Sequence, residues 1–159
     1  MENRSISMTA VQQLISVRPV KPEDFDKWAE YWGKYQEFYG VDLSPEVTRM
    51  TWARFFDEHE PVQAAVATDG EHIFGFVNFV FHRSTWAVND FCYLEDLYVS
   101  PSVRGQKIGK RLIEYVQGQA RERQCDRLYW HTQESNHTAQ RLYDWIAERP
   151  GVIEYRMPL

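Results

Sequence analysis

The stretch LEDLYVSPSVRGQKIGKRLIEYV, Leu94–Val116, decides how the chain is read. Leu94–Val99 has the make-up of an apolar strand, with two adjacent acids, Glu95 and Asp96, set into it. Ser100-Pro101 breaks the strand, and from Ile108 onward Ile108, Leu112, Val116 and Ala120 recur at helical spacing. Between strand and helix, Arg104, Lys107, Lys110 and Arg111 gather at a helix start that carries no acid. A helix start already bears about half a positive charge and N–H groups without acceptors, so each cation there costs about a few tenths of a kcal/mol. An anion bound at the turn reverses the sign of that cost. Gly105 and Gly109 leave room at the backbone, and a strand, a glycine-bearing turn and a helix start together make a phosphate site. The competing reading is a solvated surface helix with exposed lysines. The stretch is not G-x-x-x-x-G-K-[ST], the nucleoside-triphosphate loop, nor G-x-G-x-x-G, the dinucleotide fingerprint.

Upstream, SVRPV near Val17 reads as a short strand. In KPEDFDKWAEYWGKYQEFYG, the residues Phe25, Trp28, Trp32, Gln36 and Tyr39 fall near one helical face, and Gly40 closes the helix. SPEVTRMTWARFFDEH is a second helix with Ser44 as N-cap and Pro45 in its first turn. PVQAAVAT and HIFGFVNFVFH are strands joined through the hairpin signal Asp69-Gly70, and DFCYLEDLYVS is a third. After the 108–123 helix come the strand RLYWHT, the helix SNHTAQRLYDWIAER capped by Ser135 or Asn136, and the closing strand VIEYRMPL. The order β-α-α-β-β-β-α-β-α-β predicts a mixed sheet with helices on its faces.

The 159 residues suit one domain, with residues 1–15 as an N-terminal extension and 16–159 as the domain itself. A net charge of -5 excludes a generic nucleic-acid binder and suits a cationic partner. Cys92 and Cys125 stand far apart without CxxC or Cys/His ligand spacing, so no zinc site or disulfide scaffold is expected. Nothing has the length and apolarity of a membrane span or a secretion signal. The expectation is a reduced, cytoplasmic protein without metal, membrane or nucleic-acid partner.

Arg104-Gly105-Gln106-Lys107-Ile108-Gly109 resembles the [RQ]-x-x-G-x-[GA] acetyl-CoA motif of the GNAT superfamily of N-acetyltransferases, with Lys107 standing where that family usually has glycine. YLEDLYV resembles the family strand before that loop. ESNHTAQRLY is similar to its later N-x-x-A-x-x-L-Y motif in Asn136, Ala139, Leu142 and Tyr143. The element order is the family order as well, and the likeness, running from about Ser16 to the C-terminus, is strongest for the branch acting on polyamines, histone-like lysines and related small amines. The resemblance implies the GNAT fold: a central, mixed, partly splayed sheet whose parting between YLEDLYV and RLYWHT admits the pantetheine arm. It implies that Leu97, Tyr98 and Val99 pair with that arm through their backbone, and that the N–H groups from Arg104 through Gly105, Gln106, Lys107, Ile108 and Gly109 to Lys110 cradle the pyrophosphate. Asn136 would contact the cofactor from the next helix.

Acetyl transfer to an amine requires an alkylammonium of pKa about 10.4 to lose a proton, and the leaving thiolate gains from a positioned acid. Family position makes Tyr143 the acid and Glu95 the base, directly or through water. Strand alternation sets Glu95 and Asp96 on opposite faces, so one of the two is expected in the cleft. The competing readings are a core tyrosine for Tyr143 and an amine-binding carboxylate for Glu95. Trp32, Tyr35, Glu37 and Tyr39 offer ring faces and a carboxylate to a cation, with Trp32, Tyr35 and Glu95 as acceptor-binding residues; an amphipathic core helix explains the same pattern. His131 and His137 flank the region. The cysteines read as core, which favours direct attack in a ternary complex over an acetyl-cysteine. The sequence thus points to transfer from acetyl-CoA to a primary amine (a polyamine, small diamine or lysine-type acceptor) by a protein expected to be a homodimer. A CoA-binding sensor on the same fold and a nucleotide-binding domain are the alternatives.

Overall fold

The computed structural model describes residues 14–103 and 105–159. The expected N-terminal extension therefore lies, up to residue 13, outside the described residues, and so does Arg104 of the basic turn. The elements are β1 (Ser16–Pro19), α1 (Phe25–Tyr39), α2 (Pro45–Arg54), β2 (Val62–Thr68), β3 (Ile73–His82), β4 (Phe91–Val99), α3 (Ile108–Glu122), β5 (Arg127–Tyr129) and α4 (His137–Ile146). One sheet runs β1-β2-β3-β4-β5 in space. Its first four strands are antiparallel, and β5 lies parallel to β4.

Local chemistry accounts for the helix limits. Gly40 ends α1 at φ 67°, where glycine alone is unstrained. Ser44 Oγ accepts the Val47 N–H to cap α2, and Asn136 Oδ1 accepts the Ala139 N–H to cap α4. At the N-terminal side, Arg18 on β1 forks onto both oxygens of the buried Asp24 at 2.7 and 3.0 Å, tying β1 to the start of α1.

Two apolar layers sandwich the sheet. On one face α3 buries Ile108, Leu112 and Val116 against Val77, Phe79, Cys92 and Leu94, and Leu142, Tyr143 and Ile146 of α4 pack on the same cluster. On the other face α1 lays Trp28, Tyr31 and Trp32 over Val66, Phe76 and Tyr98. Alternation along β2 and β3 sorts these residues, since neighbours on a strand point to opposite sides.

The expected closing strand does not form. Residues 147–159 carry no strand pairing, and Val152, Ile153, Tyr155 and Met157 are exposed. Alternating apolar residues give a strand its faces but not a partner edge, and β5, the adjacent edge, is three residues long. No helix among the described residues is long and apolar enough to cross a membrane.

Candidate active site

Two places on β4 carry chemistry. The first is a defect in its pairing with β3. Asn78 opposes Asp96 while Phe79 opposes Leu94, so Glu95 is the extra residue of a β-bulge. The bulge cancels the alternation expected from the sequence: Glu95 and Asp96 both line one cavity of about 690 Å³, where a regular strand would have sent one of them to the far face. Trp32, Tyr35 and Tyr39 of α1 line that cavity too, and so do Asn78, Tyr93 and His131. Glu37 is exposed and does not line it.

Asp96 is held from below. Trp28 Nε1 donates to Asn78 Oδ1 at 3.3 Å, which turns the Asn78 amide so that its Nδ2 donates to Asp96 Oδ2 at 3.0 Å. Burial pushes the Asp96 carboxyl up to about 6, hydrogen bonds from Asn78 and Tyr35 pull it back, and the charge of Glu95 pushes it further up. Glu95 keeps an exposed face, and its partial burial raises its carboxyl as well. Tyr35, buried beside Asp96, is pushed far above the ordinary tyrosine value. The pair therefore sits closer to neutral pH than ordinary carboxylates, as suits groups that exchange protons with an amine.

The second place is where β4 leaves β5. Their pairing ends at Tyr93 with Tyr129, and Leu97, Tyr98 and Val99 continue beyond it. This is the expected parting of the sheet. It leaves one edge of β4 open to an extended ligand, which an added strand would pair. The basic turn follows directly. Gly105 has φ +86° and Lys107 φ 60°, ψ 23°, so Lys107 takes the left-handed conformation natural to glycine. The first bond within α3 runs from the Arg111 N–H to the Lys107 carbonyl, so Ile108, Gly109 and Lys110 present N–H groups without intrahelical acceptors. Gln106 Oε1 is buried without a hydrogen-bond partner among the described residues. Gly109 sits where β4, α3 and α4 converge: an added methyl would lie 3.8–3.9 Å from Val99, Leu142 and Leu97. Open N–H groups at a helix start, an orphan amide and an open strand edge fit an extended ligand that ends in a phosphate.

Some of the expected residues serve the fold. Lys110 pairs with Glu114 and lies over Trp145, and Arg111 donates to the Ile15 carbonyl. Asn136 caps α4 and also meets the Tyr39 hydroxyl. Tyr143 is on α4 against Trp130, with ring centroids 5.4 Å apart, and lies outside the cavity lining. Burial pushes its hydroxyl up to about 12, with Tyr39 contributing. Among the described residues no cluster of His, Cys, Asp or Glu is arranged to hold a metal ion.

Sequence reasoning missed Asp96, Asn78 and the polar part of the cavity wall. One signal was present: Asn78 is the single polar residue inside the apolar run IFGFVNFVF, and an isolated polar side chain in a buried strand needs a partner.

Residues 25–145 match the model of the acetyltransferase (GNAT) family. The chain is 34% identical over 148 residues to the D-amino-acid N-acetyltransferase HPA3 of Saccharomyces cerevisiae, spanning 92% of each protein. To the thialysine N-epsilon-acetyltransferase of Bos taurus it is 34% identical over 84 residues, 53% of this chain and 49% of that one. Among solved structures, a probable acetyltransferase superposes with a TM-score of 0.77 at 25% identity, covering 91% of this chain and 97% of its own.

Proposed function

The chain belongs to the GNAT acetyltransferase family and is an acetyl-CoA-dependent N-acetyltransferase, and from that premise we propose that the cavity above Glu95 and Asp96 receives a primary amine, of the polyamine, small-diamine or lysine type, which attacks directly in a ternary complex. The observation that carries this reading is the bulge that turns both carboxylates into one cavity beside the open edge of β4.

Acetyl-CoA, when bound, supplies a thioester carbonyl as the electrophile. The N–H groups of the turn from Gly105 to Lys110 hold its pyrophosphate, with Arg104 proposed to contribute from the same motif, and the backbone of Leu97, Tyr98 and Val99 orients its arm. Asp96, fixed by Asn78, anchors the incoming ammonium, while Trp32 and Tyr35 wall the site. Glu95 removes one ammonium proton and passes it to solvent through its exposed face. As the new N–C bond forms and the C–S bond breaks, Tyr143, protonated throughout the neutral range, gives its proton to the leaving sulfur, and the excess proton left on the acetylated nitrogen is released to solvent, from which the phenolate is reprotonated. Direct attack is supported by the cysteines: burial pushes the Cys92 thiol up to about 12 and raises Cys125 as well, so neither is poised as a thiolate to carry the acetyl group. Residues 16–159 form the catalytic unit in this reading, which goes with a cytoplasmic homodimer.

Thiol release from acetyl-CoA, measured across spermidine, putrescine, lysine and lysine peptides, tests the assignment. Tyr143→Phe and Glu95→Gln are each expected to lower kcat by about 100-fold or more, the general acid–base share of such a rate. Unchanged turnover in Tyr143→Phe removes Tyr143 as the acid.

A further inference from the structure

The charged lining of the acceptor cavity consists of Glu95, Asp96, Glu154, Arg156 and Arg54. Two of these cancel: Arg156 forks onto Glu154, Nε to Oε1 and Nη2 to Oε2, both at 3.0 Å. What remains is a carboxylate pair over β4 and one guanidinium, Arg54, at the end of α2, which packs on β2. The ion pair recorded for Arg54 runs from Nε to Glu60 Oε1 at 3.9 Å, longer than a hydrogen bond. Among the described residues the rest of its fork has no ion pair or hydrogen bond and faces the cavity that Arg54 lines.

The two ends are separated by the sheet itself. Val62, which lines the cavity together with Arg54, pairs with Val80, and Val80 pairs with Tyr93, which lines it together with Glu95. Two interstrand steps of about 4.8 Å put the backbones of Val62 and Tyr93 roughly 10 Å apart, so the cavity that Arg54 shares with the two carboxylates reaches across three strands. A ligand that satisfies both carries a cation at one end and an anion at the other. A polyamine would present its second ammonium to the guanidinium, where like charges repel.

We propose that Arg54 selects the acceptor by binding its carboxylate, so that the site takes a free lysine-type amino acid through its side-chain amine in preference to a diamine of the same length. This rests on the reading of the cavity as the acceptor site. Planar guanidinium and carboxylate match as a fork, and such charge-assisted pairs are among the stronger hydrogen bonds. Selectivity therefore comes from an attraction for one class of acceptor and a repulsion against the other.

The test compares kcat/KM on lysine, on lysinamide (its carboxylate made neutral) and on cadaverine (its carboxylate removed), in the wild type, Arg54→Gln, Arg54→Lys and Asp96→Asn. Arg54→Gln is expected to raise KM for lysine about 10–100-fold at nearly constant kcat, the range of a charge-assisted pair. It should not weaken lysinamide, whose α-ammonium meets the guanidinium with no carboxylate beside it, which also reports an intact fold, and it should improve cadaverine. Arg54→Lys should recover part of the lysine loss. Equal effects on lysine and lysinamide, no effect on either, or wild-type acetylation of cadaverine without lysine would each overturn the proposal. If Asp96→Asn impairs turnover while Arg54→Gln changes nothing, carboxylate selection alone fails. If neither variant affects any amine, the acceptor-site reading fails and takes this inference with it.

Discussion

Asp96 is an ionisable group placed at a cost to the fold. Its carboxyl titrates near 6 in the folded chain, raised first by burial, against about 3.9 when unfolded. The folded state therefore binds that proton more tightly, and stability falls as pH rises from about 4 through about 6. Asp96→Asn removes this loss and should raise thermal stability at pH 7 by on the order of 2 kcal/mol, with little gain below pH 4. The same variant should lose most amine turnover. In the wild type, turnover should fall as pH drops through about 6, where Asp96 takes up its proton. Thermal melts at pH 4 and pH 7, with a pH–rate profile, check each part, and an Asp96→Asn variant no more stable at pH 7 than at pH 4, relative to wild type, would contradict the assignment. At this scale the sequence was partly legible. Lys107 stands at the family's glycine position, and its left-handed backbone gives the physical reason for that preference. Asp96 was hidden because its direction depends on the bulge, which strand alternation does not encode.

At the scale of elements, β4 carries both candidate functional places and depends on its fit to β3. Gly75 of β3 lies so close to β4 that an added Cβ would be 2.5 Å from the Tyr98 carbonyl oxygen and 3.3 Å from Val99 Cα, both backbone atoms. Gly75→Ala should therefore displace Tyr98 and Val99, destabilise the chain by about 2 kcal/mol or more, and weaken acetyl-CoA binding together with stability. Calorimetric melts and a CoA titration read both effects, and an unchanged melting temperature would show that the strands move apart freely. The helices and the antiparallel strands were readable because spacing, Ser44, Asn136 and Gly40 mark them locally. The C-terminal strand was misread because VIEYRMPL has strand alternation, while the edge strand β5 offers it only three residues to pair with. β5 proved shorter than RLYWHT suggested, since its pairing stops at Tyr129, where the sheet opens.

Taken whole, the molecule divides its labour between the faces of one sheet. The layer under α3 is apolar and fixes β4, while the layer under α1 places Trp28, Asn78 and Asp96 in series beneath the cavity. The basic turn and the open β4 edge meet near Gly109, so in the proposed reading the anionic end of a long co-substrate and the amine reach the same strand from different sides. The motif order made this architecture readable. The sign pattern of the cavity was not, because Arg54, Asp96 and Arg156 come from distant parts of the chain. The direct test of the account is a single turnover of excess enzyme with acetyl-CoA, followed with and without lysine, reading thiol release and the acetylated species by mass. Direct attack predicts no thiol release without the amine and, with it, thiol and N-acetyl product in equal amounts. Thiol released equally fast without amine, leaving an acetylated protein, would contradict it.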